Sequence, residues 1–159
     1  NFDSDIAEQE RIEDSSTFLR AMWEGQKGQL VYGAGVGMYL YSDNEGFTQW
    51  VEDSFGNTDR AKSSASGFTA IGEVGYAKAL NENIALEALG GVELMLSSER
   101  GIDNCSNCYE QDIDIDGGMY LMPRLRISST GSFNFSISYQ HFLSGDIESA
   151  IAANFSWRQ

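Results

Sequence analysis

The sequence predicts an all-β fold: an antiparallel up-and-down transmembrane β-barrel of about eight strands, with a possible amphipathic helix at its amino end. Three observations predict it. Six segments between Leu30 and Trp157 alternate strictly between apolar and polar residues. The connections between them alternate between long polar loops and tight turns, the asymmetry of outer-membrane barrels. Large aromatics gather towards one end of the strands, as an interfacial girdle would.

The strands follow in order. In Gln29–Tyr41 one face is Leu30, Tyr32, Ala34, Val36, Met38 and Leu40, and the other holds Gly33, Gly35 and Gly37. A second strand covers Ser66–Leu80. In Asn83–Ser97 the apolar face runs Ile84, Leu86, Ala88, Gly90, Val92, Leu94 and Leu96, against Glu87 and Glu93. In Asp112–Ile127 it is Ile113, Ile115, Met119, Leu121, Leu125 and Ile127, against Asp114, Asp116, Arg124 and Arg126. Phe133–Phe142 and Glu148–Trp157 close the series. Ser42–Ser66 and Ser98–Gln111 are long polar links, whereas Asn81-Glu82-Asn83 and Ser129–Ser132 are tight, and Leu143–Ile147 is intermediate. Tyr32, Tyr76, Phe133, Phe135, Phe155 and Trp157 lie at the short-turn end, with Phe68 and Tyr139 as a thinner set at the other.

With the apolar face turned to lipid, the other face fills a narrow lumen. The glycines make room there, and Glu73, Glu87, Glu93, Asp114, Asp116, Arg124, Arg126 and Arg158 form a cross-paired charge network, because buried charges need partners. A small barrel filled by side chains does not conduct.

Residues 1–28 form an amino-terminal segment ahead of a barrel domain at 29–159. Within the segment, Ser16–Glu24 reads as an extra strand followed by a Gly25–Gly28 turn. Alternatively Asp5–Trp23 is an amphipathic helix, with Glu8, Glu10 and Glu13 early and Ile12, Phe18, Leu19, Met22 and Trp23 partly on one face.

Composition narrows the function classes. The net charge of −14 over 159 residues disfavours nucleic acid, which needs basic surface. A single proline suits long strands, and no run approaches the ~18 apolar residues of a membrane helix. Asn1 is not an initiator methionine, which fits a mature chain whose signal peptide has been removed. Cys105 and Cys108 in a polar loop fit a local disulfide in an oxidising compartment; a zinc site would lack ligands.

Gly33–Tyr39 as an opening strand, Gly75-Tyr76 before a tight turn, and Ser138–Phe142 leading to a closing aromatic strand resemble small outer-membrane β-barrels of the outer membrane protein A and X type. The resemblance covers roughly residues 29–159 and implies a fold and a Gram-negative outer-membrane location more than an activity. That family usually ends on an aromatic residue, whereas here Phe155 and Trp157 are followed by Arg158-Gln159. An amino-terminal helix against the membrane would be similar to the outer-membrane palmitoyltransferase.

Candidate chemistry is sparse. His141 is the sole histidine, and His141, Ser144 and Glu148 near the outer rim resemble the trio of the lipid A 3-O-deacylases. Those enzymes space His and Ser two apart on one strand face, but here the residue two after His141 is Leu143, and Glu148 falls on the lumen parity. Asp112–Gly117 matches the start of a calcium loop, yet the twelfth position, where a Glu is needed, is Pro123. No cofactor is expected. The leading expectation is therefore a non-enzymatic outer-membrane barrel in contact with lipid and lipopolysaccharide. Its acidic loops would serve adhesion, binding of another envelope protein or host surface, or envelope assembly. The alternatives are a lipid A-modifying hydrolase and a soluble periplasmic calycin-like barrel, its faces reversed, around a small apolar ligand.

Overall fold

A computed structural model describes residues 1–43, 48–52, 58–102, 110–128 and 133–158. The chain begins with a short helix, α1 (Ser4–Glu10). Nine strands follow among the described residues: β1 (Ile12–Lys27), β2 (Leu30–Asp43), β3 (Thr48–Glu52), β4 (Thr58–Ala79), β5 (Ile84–Ile102), β6 (Glu110–Asp112), β7 (Met119–Ser128), β8 (Phe133–Phe142) and β9 (Ser149–Arg158).

Seven of them form a barrel wall in the order β1-β2-β4-β5-β7-β8-β9, each neighbour antiparallel. Parallel pairing of β9 with β1 brings the wall round. Two short strands extend the wall at the long-loop end: β3 pairs with the start of β4, and β6 with Glu99–Gly101 of β5. The all-β barrel with an amino-terminal helix is thus the observed fold, with a ring of seven strands where about eight were expected.

The amino-terminal segment is a short helix followed by the extra strand. Asp3 caps α1 by accepting from the Asp5 N–H at 2.9 Å, and Arg11 ends it in a left-handed conformation at φ 55°. From Ile12 the chain is strand, paired with β2 down to Lys27, and Gly28 turns the hairpin at φ +63°. The long helix over Asp5–Trp23 does not form. Period two wins because Leu19 and Trp23 point out while Arg20, Met22 and Glu24 point in. The short helix sits at the long-loop end, where only Ala7 is buried, and not along the outer wall.

The faces are inverted relative to a water-soluble barrel. Outside lie Tyr32, Val36, Val74, Leu86, Val92, Leu94, Leu121, Ile137 and Ile151, all exposed, with Leu30 and Met38 half-buried. Inside lie Glu73, Glu87, Glu93, Arg124, Arg126, Asn134, Ser138, Gln140 and Asn154, all buried. Exposed Trp23, Tyr32 and Tyr76 stand together near the short turns, and Phe68 and Tyr139 near the other end. The side chains of Phe133, Phe155 and Trp157 lie outside the described residues.

Above the charged lumen the interior becomes apolar. Phe2, Ile12, Tyr39, Tyr41, Ile113, Ile115, Phe142 and Ile147 pack there as a plug beneath α1. Phe18 stacks on Tyr39 at 4.3 Å, and Phe2 leans on Tyr39 and Tyr41 at 5.8 and 5.4 Å. The sequence pattern misplaces two of these residues: Ile113 and Ile115 point inward, and Asp114 and Asp116 outward. The regular strand starts only at Met119, and Ile113–Gly118 crosses against β5 and the Ser144-Gly145 turn. A Cβ on Gly118 would lie 1.7 Å from the Ser144 carbonyl oxygen, and one on Gly117 2.3 Å from that of Glu93. That crossing breaks the ladder, so the parity before it does not carry over to β7.

Candidate functional site

The charged part of the lumen is built from inward residues of β1, β4, β5 and β7. Glu87 and Arg124 are directly paired across β5 and β7, and the Arg124 Nε–H donates to Glu87 Oε2 at 2.5 Å. The same guanidinium pairs with Glu24 and stands 3.8 Å from Glu73 Oε2. Glu73 also pairs with Arg20 and accepts from the Tyr120 hydroxyl at 2.7 Å. Arg126 pairs with the other oxygen of Glu87 and reaches Gln26. The outcome is one connected network: Arg20–Glu73–Arg124, branching to Glu24 and to Glu87–Arg126. Burying so much charge is unfavourable unless each ion has close partners, and the four strands supply them.

Of the charges expected in the lumen, Glu73, Glu87, Arg124 and Arg126 join the network. Glu93 lies in the lumen but apart from it, fully buried beside the hydroxyls of Tyr39 and Thr69. Asp114 and Asp116 do not belong there: both are exposed, and the Asp116 N–H donates to a carboxylate oxygen of Asp146 at 2.7 Å. The Arg158 side chain lies outside the described residues. Arg20 and Glu24 are members that the pattern did not reveal. The signal was the alternation Arg20-Met22-Glu24 against Leu19-Ala21-Trp23, obscured because Phe18 and Met22 put apolar groups on the polar face.

Bulk is balanced against glycine inside. A Cβ on Gly91 would meet the Tyr120 ring at 2.4 Å, and one on Gly37 would meet Phe18 and Thr69 at 2.5 Å. With Arg124, Tyr120, Met122 and Glu87 all buried, the interior is a packed charged core.

At the long-loop end the plug is tied down by Arg100, which is buried and donates to the Glu10 carbonyl at 2.7 Å and to Gln111 at 3.1 Å. Around it the rim is acidic, with Glu8, Glu13, Asp14, Glu110, Asp112, Asp114 and Asp116 exposed. Glu45 and Asp53 and the pair Cys105 and Cys108 fall outside the described residues.

His141, Ser144 and Glu148 line one groove of about 480 Å³ at this end. His141 points outward, as its parity requires. No hydrogen bond joins the three among the described residues. Ser144 Oγ instead accepts from the Met119 N–H at 3.1 Å, a structural bond that anchors the turn. A nucleophile held by its base is not formed. Among the described residues no group of His, Cys, Asp or Glu could hold a metal ion; in Asp112–Gly117 the three carboxylates are exposed while Ile113 and Ile115 turn inward.

Compared with family models, curated proteins and solved structures, the chain matches none of them.

Proposed function

We propose that this chain is a non-enzymatic β-barrel of the bacterial outer membrane that displays an acidic outer surface for adhesion, for binding another envelope protein or a host surface, or as part of an envelope assembly. The observation that carries this reading is the inversion of faces. A belt of Val, Leu, Ile and Tyr lies exposed round the wall, and an arginine–glutamate network lies inside. In water such a belt would drive association; in a bilayer it is the matched solvent, and the strands satisfy their backbone groups laterally. The calycin-like alternative needs the opposite faces.

The long-loop end then faces outward. Its carboxylates and the acidic stretch Glu45–Asp59 favour partners that offer basic or hydrogen-bonding groups. The chain would reach this place with a cleaved signal peptide, and Cys105 and Cys108 would pair as a loop disulfide. Deleting Glu45–Asp59 should abolish partner binding while leaving the folded barrel in the outer-membrane fraction, because loops carry recognition and tolerate removal. Loss of the barrel with the loop, or binding that survives the deletion, would contradict the proposal.

One observation favours a second reading, a lipid A hydrolase: His141, Ser144 and Glu148 share a groove. Mass spectrometry of lipid A from cells with and without the protein separates the two. A binding protein leaves the acyl chains unchanged, and so does His141→Ala. An acyl chain lost with the wild type and regained with His141→Ala would establish the hydrolase.

A further inference from the structure

Among the described residues the two ends of the wall meet over three residue pairs: Met22 with Ser156, Trp23 with Trp157 and Glu24 with Arg158. Towards the long loops, β1 continues over Ser16–Ala21 in register with β2 alone and β9 over Ala150–Phe155 in register with β8 alone, while Ser149 also bonds Asn1 through both its N–H and its C=O. Two strand edges therefore face each other without a ladder between them. A cavity of about 410 Å³ lies at the upper part of this seam, with Ser16 and Phe18 on one lip and Ser149 and Ile151 on the other. Phe2 and Tyr39 form its floor.

The first residues of the chain already touch both lips at the top. The Phe2 N–H donates to the Asp14 carbonyl at 2.8 Å, and the Asn1 carbonyl accepts from the Glu148 N–H at 3.0 Å. Phe2 and Ile147 form an isolated antiparallel bridge. A two-residue piece of extended chain thus sits between the ends of the wall, in strand-like pairing.

We infer that the seam between β1 and β9 is a strand slot. It accepts an extended polypeptide segment that runs from the short-turn end to the long-loop end, antiparallel to both lips. Because β1 and β9 are parallel to each other, one added strand is antiparallel to each, and above the three-pair contact the ring becomes an even, antiparallel eight. The segment is an alternating one. Its outward side chains are apolar, continuing the belt of Leu19 and Ile151, and its inward ones are small, because the Phe18 and Tyr39 rings stack directly beneath. It spans roughly seven residues at ~3.3 Å each. A lipid tail would fill the cavity but leave the facing N–H and C=O groups unpaired, which a hydrocarbon environment does not tolerate.

The test is amide hydrogen exchange over residues 16–21 and 150–155 of the full chain in detergent micelles, with and without a nine-residue peptide alternating Leu or Val with Ser or Gly. Alternate amides on both lips should exchange freely alone and slow by at least about tenfold at saturating peptide, and not with the same peptide carrying prolines at alternate positions. For direction, a cysteine at the carboxyl end of the peptide should cross-link to Ser149→Cys, and one at the amino end should not. Three results overturn the inference: protection of both lips without peptide, no protection at saturation, or equal protection by the proline peptide or by longer-chain detergent, which would make the occupant a lipid tail.

Discussion

Glu87 and Arg124 stand opposite each other in the β5–β7 ladder with their side chains inside the wall, and the Arg124 Nε–H meets Glu87 Oε2 at 2.5 Å. Every other bridge of the lumen network is reached from this pair through Arg124 or Arg126. It makes the network the structural centre of the barrel.

Arg124→Leu should therefore be among the most damaging substitutions. It leaves Glu24, Glu73 and Glu87 buried with one guanidinium fewer, and breaking a buried pair costs about 3–5 kcal/mol. Adding Glu87→Leu should restore part of the loss, since it removes one of the stranded charges. Urea unfolding followed by tryptophan fluorescence in detergent measures both.

Much of this network was legible in the sequence. Glu73, Glu87, Arg124 and Arg126 stand at the polar parity of uninterrupted strands, where period two transmits a face from one end to the other. The failures came where that transmission breaks. Asp114 and Asp116 precede the Gly117-Gly118 crossing, across which register is lost. Arg20 and Glu24 lie in a strand whose inward face carries Phe18 and Met22, so its two sides differ too little in polarity to be told from a helix. The plug was illegible for another reason: Phe2, Ile12, Ile113 and Ile147 come from four separate stretches, and only the closed fold brings them together.

The outer face predicts a depth-dependent penalty. Arginine at Val92, in the middle of the belt, should cost roughly 2–4 kcal/mol, whereas arginine at Tyr76, near the short turns, should cost roughly 0–1 kcal/mol. Val92→Leu should fold like the wild type. Equal tolerance of arginine at both positions in refolding into lipid vesicles would mean that the belt does not face hydrocarbon.

Packing inside the lumen is equally specific. Gly91→Val should push the Tyr120 ring away, since even a Cβ there would stand 2.4 Å from it, and with the ring goes its hydroxyl bond to Glu73. Overpacking of this kind costs typically about 1–3 kcal/mol. Combining Gly91→Val with Tyr120→Ala should relieve most of the clash, and unfolding of the two variants side by side checks it.

The central claim, that the apolar face meets lipid and the charged face fills the interior, is tested most directly by nitroxide labels placed one at a time at Val74, Leu121 and Ile137 in protein reconstituted into bilayers. All three are exposed on the wall. The account predicts that collisions with dissolved oxygen, which concentrates in hydrocarbon, exceed those with a water-soluble nickel complex at every one of them. A label at exposed Glu148 on the outer rim should show the reverse. Labels at Val74, Leu121 and Ile137 that are as open to nickel as the one at Glu148, on a protein that stays dissolved and monomeric without detergent, would contradict it.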